Sequence, residues 1–244
     1  GHTIANGEQL WTIVRTLLRT VEGSWREKDK SIWELRSLEE HFTFSKVLCW
    51  VAMDRGVKIA ELLKKESYAQ AWRAVRQDIR EDIEQHGWNE EVGAYTQYYG
   101  SAETDAANLL MQPYGFIDAK DPRYVATVQQ TYDQLARDGL MYRYRNNDDF
   151  GEPKSSFTVC TFWMIRALHE IGEEEKAKEM YERVLGYANH LGLFSEDISF
   201  EEKRLLGNFP QGYSHLALID AAMAISSSSE SDGQPQAPGT RYRV

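Results

Sequence analysis

At 244 residues, 42% hydrophobic and 27% charged, the chain has the composition of a soluble globular protein long enough for a sizeable core. A formal charge of -10 excludes nucleic-acid phosphates and anionic membranes as favoured partners, and no apolar run approaches a membrane span. The two cysteines, Cys49 and Cys160, have neither CxxC nor Cys/His spacing, so no metal site is expected. They read as buried free thiols. With no signal peptide visible, the expected location is a reducing compartment, the cytoplasm.

Helical periodicity dominates the chain. Leu10, Ile13, Val14, Leu17, Leu18 and Val21 fall on one stripe and predict a first amphipathic helix, closed by Gly23 and Ser24. Ser31-Ile32-Trp33-Glu34-Leu35-Arg36 lies in the connection that follows. A second helix is predicted from about residue 39 to 55, broken at Gly56 and continued by a shorter piece with Ile59, Ala60 and Leu63. Tyr68, Trp72, Val75, Ile79 and Ile83 mark the next, which ends before His86-Gly87. Residues 88–101, with Tyr95, Tyr98 and Tyr99 among glycines and hydroxyls, read as a long aromatic loop of the kind that carries binding.

Helices resume near residues 104–111 and 121–137, the latter opened by Asp121-Pro122 as N-cap and first-turn proline. Residues 140–145 alternate like a short extended piece. The rows Cys160, Trp163, Met164, Ala167, Leu168, Ile171 and Ala177, Met180, Tyr181, Val184, Leu185, Ala188 form a helical hairpin around Gly172. A last helix runs from about residue 210 to 224. About eight helices and no sheet give an all-α class built from helical hairpins: one helical domain over residues 1–225, then a polar tail, 226–244, expected to be disordered.

Two carboxylates suggest chemistry. Glu34 follows Trp33, whose flat apolar face suits a sugar ring and would desolvate the acid, raising its pKa. Glu196 sits about 160 residues later in Leu193-Phe194-Ser195-Glu196-Asp197, an aromatic, helix-flanking turn. Glycosidic bond hydrolysis needs one carboxyl to protonate the leaving oxygen and one to activate water. By composition alone the pair is a weak signal, because there are 38 acidic residues, and Asp197, Glu201 and Glu202 compete for the second role. Arg143 has Asp148 and Asp149 as alternative ion-pair partners, while Trp50, Trp72, Trp163 and Phe157 fit core positions on helices. His41, His169, His190 and His215 lack ligand spacing and read as structural.

Several stretches, taken in order, resemble the glucoamylase/trehalase-type α-glycoside hydrolases, the bacterial members most closely. They are Ser31-Ile32-Trp33-Glu34, Phe42-Thr43-Phe44-Ser45-Lys46-Val47-Leu48-Cys49-Trp50, Asp105-Ala106-Ala107-Asn108-Leu109-Leu110 and Tyr142-Arg143-Tyr144. Phe157-Thr158-Val159-Cys160-Thr161-Phe162-Trp163, Leu193-Phe194-Ser195-Glu196 and Asn208-Phe209-Pro210-Gln211 follow. The likeness covers roughly residues 8–225.

It implies helical hairpins belonging to an (α/α)6 barrel, or helical toroid, and hydrolysis with inversion. By motif, Glu34 would be the general acid and Glu196 the general base. Arg143 would hydrogen-bond the non-reducing glucose, and Trp33 and Phe157 would be aromatic walls of the sugar site. The two carboxyl groups would stand roughly 6.5–9.5 Å apart to admit water. No cofactor is implied. Ser31 and Leu35 replace an Asp and a Glu of the fungal enzymes, which argues against fungal-type starch specificity. The family's upstream Arg-Asp pair and its N-terminal β-sandwich have no counterpart in the chain. The barrel would therefore be partial, completed by another chain or a further segment. The expected activity is inverting hydrolysis of a short α-glucan or disaccharide, with trehalase as the alternative. From other classes come a non-catalytic carbohydrate-binding helical module, an inactive truncated fragment, and a structural helical repeat.

Overall fold

A computed structural model describes residues 7–147, 151 and 153–229. They form two compact units, one holding residues up to 130 with 146–152, the other 131–145 and those from 153 onward.

In the first unit, α1 (Gly7–Ser24) is followed by α2 (Thr43–Leu62) and α3 (Glu66–His86), which form a helical hairpin. Val47, Trp50, Met53, Val57 and Ala60 of α2 and Ala69, Trp72, Ile79 and Ile83 of α3 are buried. Contrary to the sequence expectation, α2 runs unbroken through Gly56. A Cβ there would stand 2.1 Å from Leu18 Cδ1, so the glycine serves as the seat into which α1 drops its one buried side chain. The rest of the α1 stripe is less covered: Leu10, Ile13 and Leu17 are at least half exposed. Trp11 still packs edge-on against Tyr68, with ring centroids 5.2 Å apart.

Residues 88–101, read from the sequence as a long loop, contain a short hairpin. Strands β1 (Trp88–Asn89) and β2 (Ala94–Tyr95) pair antiparallel with Trp88 opposite Tyr95, and Tyr98 bridges to Phe42. Two-residue strands are too short to show alternation. A 3-10 helix, Ala106–Met111, follows, and then α4 (Pro122–Leu135), which is shorter than predicted because Ala136–Arg137 are extended.

The second unit contains a tight hairpin of β3 (Ala136–Arg137) and β4 (Leu140–Met141). It turns at Asp138 and Gly139, both at positive φ as such a two-residue turn demands. Next come β5 (Ser155–Phe157), α5 (Thr158–Ile171), α6 (Glu174–Leu185), β6 (Asp197–Ser199), β7 (Leu205–Leu206) and α7 (Gly212–Ser229). Helix α5 is buried along nearly its whole length, the pattern of a central helix, and both α6 and α7 pack on it. Gly172, at φ 97°, ends it in the left-handed conformation and starts the hairpin. Strands β5, β6 and β7 form an antiparallel sheet in that order, the largest departure from the all-helical expectation. Helix α7 holds residues 226–229, which the sequence assigns to the tail; residues 230–244 lie outside the described residues. Tyr213, Leu216, Ile219 and Met223 leave an exposed apolar row along α7.

Candidate active site

The first unit carries Trp33 and Glu34 on a turn with two non-glycine residues at positive φ, Ser31 at 67° and Glu34 at 55°. Such backbone costs of order 1–3 kcal/mol per residue and persists only where its surroundings impose it. The imposing groups are identifiable. The Ser31 backbone N–H donates to Asp29 Oδ1 at 2.7 Å, as does Ser45 Oγ from α2 at 2.6 Å. Leu35 N–H closes onto the Lys30 carbonyl at 2.9 Å, driving Leu35 into the core. Lys46 lies beneath, 3% exposed, its Nζ donating to the Trp25 carbonyl at 2.6 Å and to that of Glu27. Burial pulls the Lys46 ammonium below the ordinary lysine range, and the Asp29 carboxylate opposes that shift. Trp33 is half-buried, its indole N–H donating to Asp105. Glu34 is exposed. The Trp33 indole therefore does not enclose it among the described residues, contrary to the expectation from the sequence.

Arg143, Phe157 and Glu196 all fall in the second unit: β5 pairing with β6 sets Phe157 and Glu196 at adjoining backbone positions, and Arg143 lies over Phe157. The Thr158 N–H donates to the Glu196 carbonyl at 2.9 Å, and Glu196 N–H to the Asn208 carbonyl at 2.9 Å. Half-buried Glu196 accepts on Oε2 from Asn208 twice, from the backbone N–H at 3.2 Å and from Nδ2 at 3.0 Å. Gly207, at φ 74°, completes this cradle; a Cβ there would lie 2.7 Å from Oε2. The Arg143 guanidinium lies over two rings, 4.9 Å from the Tyr144 centroid and 5.8 Å from that of Phe157. Its sequence-suggested partners Asp148 and Asp149 lie outside the described residues.

Asn208, without a sequence-assigned role, belongs to this cradle. Asn208 stands in the quoted Asn208-Phe209-Pro210-Gln211 stretch, which was the signal available. Asp197, a competitor of Glu196 in the sequence, instead points to Ser155, whose hydroxyl donates to its carboxylate. Burial lifts the Asp197 carboxyl above the ordinary range; the Ser155 hydroxyl and the Arg143 guanidinium draw it down, and the neighbouring Glu196 adds to the rise. His215 has a structural role. Its Nδ1 meets the Gln211 carbonyl at 2.7 Å and its Nε2 accepts from Phe194 N–H at 3.2 Å, contacts that anchor the Glu196 turn to α7. Trp50, Trp72 and Trp163 are core residues. Among the described residues, no group of three or more His, Cys, Asp or Glu could hold a metal ion, and no helix is long and apolar enough to cross a membrane.

The chain is 44% identical over 221 residues to a trehalase of Mycobacterium tuberculosis, covering 89% of this chain and 32% of that protein. It is 36% identical over 214 residues to a trehalase of Thermoplasma volcanium, covering 87% and 34%. The chain thus spans about a third of the length of the curated relatives it matches. In fold it is similar to a bacterial glucoamylase complexed with acarbose, with TM-score 0.74 and 16% identity over 88% of this chain and 37% of that one. It also resembles a glucoamylase from Saccharomycopsis fibuligera, with TM-score 0.73 and 12% identity over 89% and 61%. These likenesses agree with the expected fold, helical hairpins forming part of an (α/α)6 barrel. The model of the glycosyl hydrolases family 15 matches residues 4–175 and 172–223. The ordered motifs, the helical hairpins and a match over nearly the whole chain lead to one conclusion: the chain belongs to glycosyl hydrolase family 15.

Proposed function

We propose that the chain carries the general acid and general base of an inverting α-glucoside hydrolase whose substrate is trehalose. Glu34 donates a proton to the glycosidic oxygen. Glu196 receives one from the water that attacks the anomeric carbon on the face opposite the leaving sugar. Asn208 engages Oε2 of Glu196, which leaves Oε1 for that water. Arg143 and Phe157, on the same sheet-bound assembly, offer donors for sugar hydroxyls and an apolar face, and Trp33 offers a second face. The cradled Glu196 beside Arg143 and Phe157 carries the hydrolase reading. The trehalase relatives direct it to trehalose rather than to a longer glucan.

Stereochemistry makes the reading testable. Both anomeric carbons of trehalose are α, so inversion at the attacked carbon yields one β-glucose while the leaving sugar stays α. Proton NMR of the first turnovers is expected to show the two anomers in equal amounts. Glu34→Gln and Glu196→Gln are each expected to lower the rate by about 10²–10⁴-fold with the fold intact. Glucose released only from maltose or isomaltose overturns the substrate. Sugar binding without release from any disaccharide by folded protein identifies a binding module or an inactive fragment instead.

The same reading covers the exposed apolar rows on α1 and α7: they are the faces against which the remaining helices of the barrel pack. The chain is then monomeric by sedimentation, and a concentration-dependent dimer assigns the rows to a second copy. Two free thiols, one buried and one half-buried, fit the reducing cytoplasm proposed for it.

A further inference from the structure

The Asp105-Ala106-Ala107-Asn108 stretch lies 72 residues from Trp33 in sequence, and the activity proposed above gives it no part. Asp105 is 3% exposed, yet its carboxylate is among the most heavily used acceptors in its unit. Both of its oxygens receive the Trp33 indole N–H, at 3.0 and 2.9 Å. Oδ2 also accepts from Gln97 Nε2 at 3.0 Å, and Oδ1 from the Ala107 backbone N–H at 2.8 Å. The last bond caps the 3-10 helix and thereby fixes the carboxylate to a regular element. Asn108, three residues on, ties the same helix to the carbonyls of Tyr95 and Thr96 at 3.1 and 3.0 Å. The carboxylate is thus held rigidly, and it grips the one aromatic side chain on the strained turn that carries Glu34.

We propose that Asp105 is a positioning residue: its carboxylate holds the Trp33 indole, and through the Ser31–Leu35 turn it sets the place of Glu34. The turn has two anchors with separate tasks. Asp29 fixes its base through the Ser31 N–H, and Asp105 fixes its apex through the indole. With Ser31 and Glu34 both at positive φ, the apex has an alternative in ordinary backbone geometry, and the indole tether opposes that relaxation. An amide at position 105 cannot substitute. It offers one acceptor oxygen where the carboxylate serves three N–H donors from two, and its NH2 would face a donor.

The catalytic part of this inference rests on the trehalase reading, so the test includes a measurement that does not. The indole N–H resonance of Trp33 is identified in the ¹⁵N-labelled full chain as the one of seven lost in Trp33→Phe. In Asp105→Asn that resonance is expected to move upfield and exchange with solvent at least tenfold faster, while the other indoles hold their positions. A Trp33 signal unmoved in folded Asp105→Asn overturns the proposal, whatever the chain hydrolyses. On trehalose, Asp105→Asn is expected to lower kcat at least tenfold with KM changed less than threefold. In the Trp33→Phe background the same substitution should cost less than twofold. Equal losses in both backgrounds overturn the proposal and leave Asp105 a helix cap only. If the wild-type chain releases no glucose, the substrate reading fails and the indole signal alone decides the tether. Asp105→Glu keeps the charge and both oxygens but moves them by one methylene. It replaces the Asn variant should that one not fold, with the same expected resonance shift and the same coupling to Trp33.

Discussion

Phe157 and Asp197 stand directly opposite each other across β5 and β6. Cross-strand partners share a face of the sheet, so the Phe157 ring and the half-buried Asp197 carboxylate are neighbours, with Glu196 immediately before the strand. The Arg143 guanidinium serves both, lying over the Phe157 ring and drawing the Asp197 carboxyl down against the effect of burial.

Asp197 should make stability fall with rising pH. Its folded pKa lies above the unfolded value of about 3.9, so the native state holds the proton more tightly. The contribution is most favourable below the unfolded pKa and is lost as pH rises through the folded one. Asp197→Asn, which keeps an acceptor for the Ser155 hydroxyl, should abolish that loss. Urea unfolding from pH 3.5 to 7 is expected to show the variant gaining on the wild type as pH rises.

Asn208→Ala removes Nδ2 and leaves the backbone N–H as the single remaining donor to Glu196 Oε2. On the proposed role of Glu196 as general base, the carboxylate can then rotate away from the orientation that role requires. A fall in kcat on trehalose of about tenfold, equivalent to about 1.4 kcal/mol, is expected with KM little changed. Steady-state kinetics beside a thermal melt separates this from loss of fold.

Gly56 offers a test of packing against propensity. Alanine is favoured over glycine inside a helix by about 1 kcal/mol, but its methyl would collide with Leu18. Gly56→Ala is therefore expected to destabilise the chain by about 1–3 kcal/mol through overpacking. In a Leu18→Ala background the sign should reverse, with a gain of about 1 kcal/mol. Chemical denaturation of the four proteins completes the cycle.

Asp54 acts in the opposite direction to Asp197. Burial alone would raise its carboxyl, but bonds from Lys58, Arg55 and Arg76 outweigh it and hold the group below the usual range. The stabilisation is present above the unfolded pKa of about 3.9 and disappears as pH falls through the folded value. Asp54→Ala is expected to cost about 1–3 kcal/mol at pH 7, since it strands three partly exposed cations. The difference from wild type should shrink in acid, which unfolding curves at pH 7 and pH 2.5 would measure.

The helices were legible because their apolar rows recur over many residues: α3, α5 and α6 lie where Trp72, Ile79, Trp163, Leu168 and Val184 place them. Gly56 misled because a helix breaker and a packing seat look alike until the facing side chain is known. Strands β5, β6 and β7 were not legible: Ser155 pairs with Ser199, and no two- or three-residue piece announces a partner so distant. The candidate residues themselves came from ordered resemblance rather than from pattern. What that resemblance could not convey was how each is held. The indole bond from Trp33 to Asp105, the exposure of Glu34 and the grip of Asn208 on Glu196 all depend on tertiary contacts or backbone conformation.

The cradle around Glu196 also makes position 207 a sorting criterion for related sequences. A Cβ there would lie 2.7 Å from Oε2, too close without a shift of the carboxylate, and the residue would have to adopt the positive φ that Gly207 takes freely. On the proposed role of Glu196, a relative that keeps the glutamate but has lost the glycine is expected to hold its carboxylate differently. Such relatives form a natural set of candidates for sugar recognition without turnover, and can be picked out by reading a single column.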